Sequence, residues 1–289
     1  MSRHNVDIQA GSNRSVIMIE IFYVVRKTMN KQVLEAVLAG SPVLSIFAFD
    51  SISSTNDYAL EHLGAQADTS DWTLVIADTQ TAGRGRMNRK WVTESGAGLA
   101  FTMIFRLKEF EKGHVNLFSP LAALAVAEAL EQGYGLHPAI KWPNDVLLNG
   151  KKTCGILAET SWLGDVLHGL VLGIGVNVKA GSIPPPEMLM FPATCVEAEA
   201  GRKVERFDLL RKIIQGLGKW RERLGSMEFF DTWESRLAFR GEWVRIERLG
   251  ADALQGKVAG ISVDGCLRLL TEGGEEVLIS VGDVRLRPM

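Results

Sequence analysis

Residues 141–159 read KWPNDVLLNGKKTCGILAE. Two apolar runs flank Asn149-Gly150, and because both of those residues tolerate positive φ, Asn-Gly is the strongest short-range hairpin signal. The stretch therefore reads as two antiparallel strands, with Lys151 and Lys152 just past the turn. Trp142-Pro143 keeps the entry extended, since a residue before proline is driven out of the helical region. Asn144 and Asp145 then place an amide and a carboxylate at the start of the first strand. A third apolar run, VLHGLVLGIGVNV at 166–178, follows the loop SWLGD, and the prolines at 184–186 end the block. Three to four adjacent antiparallel strands are expected here.

Upstream, VLSIFAF at 43–49 is strand-like and runs into SISSTNDYALEHL, where Ser53 or Ser54 can cap a helix. WTLVIAD at 72–78 and GLAFTMIFRL at 98–107 read as two further strands, so TAGRGRMNRKW at 81–91 is the loop between them. NLFSPLAALAVAEALEQ at 116–132 suits a core helix stopped by Gly133, with Pro138 beyond it. Apolar residues at 207, 210, 213, 214, 217, 220 and 224 predict an amphipathic helix, and MEFFDTWESRLA a second. WVRIER, ALQGKVAGISV, GCLRLL and EEVLIS are short strands divided by Gly and Asp, the pattern of a small β-barrel. The segments divide as 1–40, an extension in which only KQVLEAVLAG resembles a helix; 41–238, the main domain; and 239–289, the barrel. The fold class is α+β, a mixed and mostly antiparallel sheet with packed helices.

The chain has 289 residues, a formal net charge of -2, 46% hydrophobic and 23% charged residues. That balance argues against a disordered chain and against a general polyanion binder. Cys154, Cys195 and Cys266 are odd in number and widely spaced, which supports neither a disulfide framework nor a cysteine zinc site and fits a reducing cytoplasm. The run VIMIEIFYVV at 16–25 contains Glu20 and is half the length a bilayer needs, so neither a membrane span nor a signal peptide is expected.

Against this near-neutral background, Arg84, Arg86, Arg89 and Lys90 gather in one loop with Gly83 and Gly85, which free the backbone for close approach. Forked and point donors of this kind suit phosphate oxygens. The loop is not a P-loop, because GxxxxGK[ST] is absent from the chain. A bare RGR triplet is more often a solvated basic loop, but a second unusual stretch with Asn144, Asp145 and a lysine pair points to phosphate chemistry. Mutual repulsion of the loop cations implies a loop that stays mobile until an anion arrives.

SSTND at 53–57, QTAGRGRMNRKW at 80–91, KWPND at 141–145, GKKTCGILAE at 150–159 and GIGVNV at 173–178 together resemble the biotin protein ligase family, in order and spacing, across roughly 200 residues, the size of a typical domain. The barrel resembles that family's SH3-like C-terminal domain, and the main domain its class II aminoacyl-tRNA synthetase-like catalytic domain. The resemblance implies two half-reactions. Biotin's carboxylate attacks the α-phosphorus of ATP to give biotinyl-5'-AMP and pyrophosphate, and a lysine ε-amine of a biotin carboxyl carrier protein or domain then takes the biotinyl group.

By the same resemblance, Lys152, Arg84 and Arg86 are the catalytic cations, Lys152 bridging the carboxylate and the α-phosphate. Ser54, Thr55, Asn56, Gln80, Gly83, Arg84, Lys152 and Gly155 fall on biotin. Arg84, Arg86, Arg89, Trp91, Asn144, Asp145 and Asn177 fall on ATP and the adenylate. Gly155, Gly173 and Gly175 let the ligand approach the sheet, with Asn177 capping that end. No metal-ligand set is evident, and Asp145 is the one carboxylate offered to Mg²⁺.

Two departures stand out. Met87-Asn88 occupies a place where many members carry further Arg or Gly, and Cys154 replaces the usual alanine before Gly155. The stretch before residue 41 is too short for the winged helix-turn-helix of members that repress biotin genes, so no specific DNA binding is expected. A homodimer through a sheet edge is left open. The rival readings are a lipoyl protein ligase of the same fold and a non-catalytic RNA-binding module.

Overall fold

The computed structural model describes residues 29–65, 69–248, 251–280 and 284–289. The apolar run at 16–25, and most of the extension with it, lie outside the described residues. Within the extension, Asn30 caps α1 (Lys31–Val37), its side chain accepting from the backbone N–H of Gln32 and Val33.

The main domain is built on β1 (Ser45–Ile52), α2 (Thr55–Ala65), β2 (Thr73–Gln80), β3 (Gly98–Phe105), α3 (Phe118–Tyr134), β4 (Pro138–Lys141), β5 (Asp145–Leu148), β6 (Lys151–Leu163) and β7 (Val166–Asn177). Its seven strands run in the order β1-β2-β3-β7-β6-β5-β4. Only β1 and β2 pair in parallel; every other neighbouring pair is antiparallel. The β5–β6 turn is the Asn149-Gly150 hairpin, with φ of 48° and 73°, the left-handed pair that a two-residue turn demands.

Three details differ from the sequence reading. The core helix does not stop at Gly133 but runs to Tyr134, and Gly135 at φ 69° is its left-handed cap, donating its N–H to the carbonyl of Glu131. Pro138 opens strand β4 at the sheet edge, where a missing N–H costs no ladder bond. Residues 142–144 form a tight turn between β4 and β5 rather than an extended entry, and the Trp142-Pro143 peptide is cis.

One face of the sheet carries α3, α5 (Arg206–Glu222) and α6 (Met227–Ser235), the short α4 (Val196–Ala200) preceding α5 in the chain; α2 covers part of the other face. The 26-residue helical segment Glu109–Tyr134 contains an 18-residue window apolar enough to match a membrane span by length and composition, but α3 within it is a core helix, with Leu121 to Ala127 all buried. A buried ion cluster ties this layer down. Arg221 of α5, 4% exposed, meets Glu111 Oε1 at 2.7 Å and Asp71 Oδ2 at 2.8 Å, and its guanidinium lies 4.7 Å from the Phe105 ring centre. Burial works against its charge, and the two carboxylates still hold its pKa above the ordinary arginine value.

The C-terminal sheet is β8 (Trp243–Arg248), β9 (Ala251–Ile261), β10 (Leu267–Leu270), β11 (Glu276–Ile279) and β12 (Val284–Pro288), in the order β11-β10-β9-β8-β12. Strand β12 lacks a strong apolar run and escapes a sequence pattern. The turn between β9 and β10 docks on the main domain: Trp142 Nε1 donates to the Gly265 carbonyl at 3.2 Å, and Asn116 Nδ2 to that of Asp264 at 2.6 Å.

Candidate active site

Strand register creates the site. Ala77, Ala100, Gly175, Gly155 and Asp145 lie side by side across β2, β3, β7, β6 and β5, so a row of small residues crosses the sheet and ends in a carboxylate. Above it is a cavity walled by the α2 N-terminus, the 84–91 loop and the KWPND turn. The sequence expects glycines here to admit ligand. In this structure they admit protein: a Cβ on Gly175 would lie 2.4 Å from the Trp91 ring, one on Gly155 3.1 Å from it, and one on Gly173 2.2 Å from Asn56 Oδ1. Trp91 is thus packed onto the floor of the cavity.

One end of the cavity is uncharged and polar. Ser54, Thr55, Asn56 and Gln80 all line it. Ser54 Oγ also accepts from Asp57 N at 3.3 Å, so one hydroxyl both caps α2 and faces the cavity. Gln80 Oε1 accepts from Thr55 N at 2.8 Å. Asn56 is spent inside the protein, donating to Leu157 O at 3.2 Å and Glu159 Oε2 at 2.8 Å while accepting from Thr102 at 2.6 Å.

The other end is cationic. Asp145, 8% exposed, meets Lys152 Nζ at 2.6 Å and Lys141 Nζ at 3.7 Å. Burial raises the carboxyl's pKa, but the Lys152 and Lys141 ammoniums outweigh it and hold it below the usual carboxylate range. Lys141 is pushed down to about 8, first by burial and then by the charges of Lys152, Arg287 and Arg89, with Asp145 opposing. Its ammonium also lies 4.9 Å from the Phe191 ring centre. Asn144 accepts from Arg86 Nη1 at 3.2 Å and donates across the hairpin to Ile156 O at 2.7 Å. Arg89, Leu286 and Arg287 complete this wall, the last two from β12 of the C-terminal sheet.

The basic loop is itself folded. Gly85 N donates to Arg89 O at 2.7 Å and Trp91 N to Gly83 O at 2.8 Å, which spends the Gly85 N–H that an anion would need. Gly83 is not on the cavity wall; a Cβ there would lie 2.5 Å from Trp91 O, so its smallness serves the loop's own closure. Arg84 lines the cavity with its charge already matched, bidentate on Glu159 at 3.0 and 2.9 Å and 2.7 Å from Asp57 Oδ1. Despite partial burial, those carboxylates raise its pKa. At Arg84 the repulsion expected from the loop's charges is offset by Asp57 of α2 and Glu159 of β6.

Asn177 stands off the cavity. Its Nδ2 donates to Thr194 O at 3.2 Å, and Oδ1 is buried without a hydrogen-bond partner, two residues beyond Gly175. Cys154 is buried behind the floor, and burial raises its thiol pKa; all three cysteines are free. Among the described residues no group of three His, Cys, Asp or Glu could hold a metal. Asp145, offered to Mg²⁺ by the sequence, is already shared by two ammoniums, so this donor set does not fit a resident divalent ion.

Sequence reasoning missed Lys141, Thr102, Asp57, Glu159 and Arg287. Lys141, Asp57 and Glu159 sit inside the quoted motifs, where their charge was the available signal. Thr102 and Arg287 gave none, because only the register and the docking of β12 bring them near.

Residues 48–177 match the biotin/lipoate A/B protein ligase family, and 240–287 the biotin protein ligase C-terminal domain. The chain is 36% identical over 240 residues to the bifunctional ligase/repressor BirA of Bacillus spizizenii, covering 82% of this chain and 72% of that one. It is 36% identical over 234 residues to the biotin–[acetyl-CoA-carboxylase] ligase of Paracoccus denitrificans, covering 78% and 94%. Biotin protein ligase from Aquifex aeolicus, solved in complex with biotin and ATP, superposes with a TM-score of 0.70 at 32% identity, over 85% of this chain and 99% of that one. A mixed sheet with a small-residue floor, a polar end, a cationic end and a C-terminal sheet closing one wall, together with these likenesses, makes this chain a member of the biotin protein ligase family.

Proposed function

We propose that the cavity performs ATP-dependent biotin activation and transfer, and that the observation carrying this reading is the joining of an uncharged hydroxyl–amide end to a cationic end in one cavity. The chain is a biotin protein ligase: it uses biotin and ATP, and acts on an acetyl-CoA carboxylase. The acceptor is the lysine of a biotin carboxyl carrier protein or domain. ATP enters as its Mg²⁺ complex, the ion being held by the nucleotide's own phosphates and water.

Biotin lies with its ureido ring against Ser54, Thr55 and Gln80 and its carboxylate toward Lys152. A carboxylate oxygen attacks the α-phosphorus, a P–O bond forms, and the P–O bond to pyrophosphate breaks. Negative charge gathers on the phosphoryl oxygens between two anions that repel. Lys152 is already oriented by Asp145, so its ammonium meets that charge with little reorganisation. Arg86, Arg89, Lys141 and Arg287 lie along the same wall and receive the phosphates. In the second step the acceptor amine attacks the acyl carbon, AMP leaves with the bonding pair, and the amine's proton goes to solvent. Arg84 has a different part from the one its motif suggests: bound to Glu159 and Asp57, it braces the loop against α2 and β6. Three free thiols suit a reducing cytoplasm.

The reading is tested by incubating the protein with biotin, Mg-ATP and a biotin carboxyl carrier domain, and locating label by mass spectrometry. One biotinyl group on one lysine is expected. Lys152→Ala is expected to lower adenylate formation by about a hundredfold or more with an unchanged circular dichroism spectrum. Full activity in the folded variant removes Lys152 from the chemistry.

A further inference from the structure

The polar end contains a chain of hydrogen bonds whose direction follows from counting protons. Asn56 Nδ2 faces the Leu157 carbonyl at 3.2 Å and Glu159 Oε2 at 2.8 Å. Both can only accept, which fixes the amide's orientation. Asn56 Oδ1 must then accept, and the Thr102 hydroxyl at 2.6 Å gives it a proton. A hydroxyl has one proton to give. The contact between Thr102 Oγ1 and Thr55 Oγ1 at 2.9 Å therefore needs the proton of Thr55. The other protein group near the Thr55 hydroxyl is Gln80 Oε1 at 3.1 Å, and that oxygen is fixed as an acceptor by the Thr55 backbone N–H at 2.8 Å.

Both partners of the Thr55 hydroxyl thus take its proton inward, and what it offers the cavity is lone pairs. Gln80, with Oε1 turned inward, has its Nε2 donor left for a ligand. Thr102 and Glu159 do not line the cavity, and the Thr102 side chain is fully buried.

We infer that Thr102 and Asn56, anchored on the Glu159 carboxylate, are positioning residues that fix Thr55 as a hydrogen-bond acceptor, and that this polarity selects a ring carrying an N–H donor beside a carbonyl acceptor, a cyclic urea or amide. The inference rests on the ligase reading and deepens it by assigning what discriminates biotin from acids with an apolar or sulfur-only ring. A dithiolane offers neither group, so it would leave Thr55 and Gln80 unpaired, and sites built to hydrogen-bond a substrate reject analogues that lack the partner strongly. The anchoring charge is secure, because Glu159 is bidentate with Arg84 at 3.0 and 2.9 Å.

The test uses the full chain with Thr102→Val and Thr102→Ser, assayed by biotin-dependent ATP–pyrophosphate exchange and by calorimetric binding of biotin and of biotin methylated on either ureido nitrogen. In Thr102→Val, which keeps shape but breaks the chain, biotin KM and Kd are expected to rise about tenfold, the size of one lost hydrogen bond, with kcat within about threefold and KM for ATP unchanged. Thr102→Ser, which keeps the hydroxyl, is expected to match wild type. The methylated isomer whose nitrogen meets Thr55 is expected to bind wild type more weakly than biotin does, yet to lose little further affinity in Thr102→Val. Biotin binding by Thr102→Val within twofold of wild type, or an equal loss for ATP, overturns the inference, as does a Thr102→Ser variant as weak as Thr102→Val. Absence of exchange in the wild-type chain would instead sink the ligase reading itself, so the two failures are distinguishable.

Discussion

Asp145 serves two lysines with one carboxylate, and the consequences for those lysines differ. Lys152 lies 2.6 Å away and is held in place; Lys141 lies 3.7 Å away, is largely buried, and has its pKa pushed down to about 8. Below about 8 the Lys141 amine is protonated in the folded chain, where its charge costs stability; that cost fades as pH rises toward the ordinary lysine value of 10.5. Its use to a phosphate runs the opposite way, because the positive charge disappears over the same range. The value of kcat/KM for ATP, which reports the free enzyme, is expected to fall as pH rises through about 8. Lys141→Gln is expected to be slower throughout and to lack that limb. An alkaline limb that persists in Lys141→Gln assigns it to another group.

At the scale of elements, the legible parts are those whose signal is local. Asn149-Gly150 announces its hairpin, and the repeating apolar positions of α5 announce an amphipathic helix, because turn chemistry and periodicity are properties of neighbours in sequence. The floor of the site is legible only in part. Gly155, Gly173 and Gly175 invite the reading that a ligand approaches the sheet, and nothing in the order of residues says that Trp91 and Asn56 fill that space instead. The surroundings of Arg84 are illegible for a similar reason: its carboxylate partners come from α2 and β6, and like charges in a loop predict repulsion only while partners from elsewhere are ignored. The packing of Trp91 can be measured. Gly175→Ala puts a methyl 2.4 Å from its ring and forces the indole away. A red-shifted tryptophan emission and a raised substrate KM are expected, with a loss of folding stability on the order of 1–3 kcal/mol from the one-methyl overpacking. Unchanged emission and kinetics would mean that Trp91 does not rest on the floor in solution.

For the whole molecule, the C-terminal sheet forms part of the wall of the candidate site. Its β9–β10 turn accepts the Trp142 indole N–H through Gly265, so it braces the turn that carries Lys141, Asn144 and Asp145, and β12 brings Leu286 and Arg287 to the cavity wall. Arg287→Ala is expected to raise KM for ATP about tenfold, the cost of one charge-assisted hydrogen bond, while KM for biotin stays unchanged. An equal rise for both substrates would indicate a general loosening of the docked sheet. Whether one cavity couples a urea-reading end to a phosphate-reading end is read out by ATP–pyrophosphate exchange with Mg²⁺, run with biotin, with lipoate and with no acid. Exchange is expected with biotin alone. Exchange with lipoate would show that the polar end does not read a urea, and exchange with neither acid would show that the cavity does not couple the two ends.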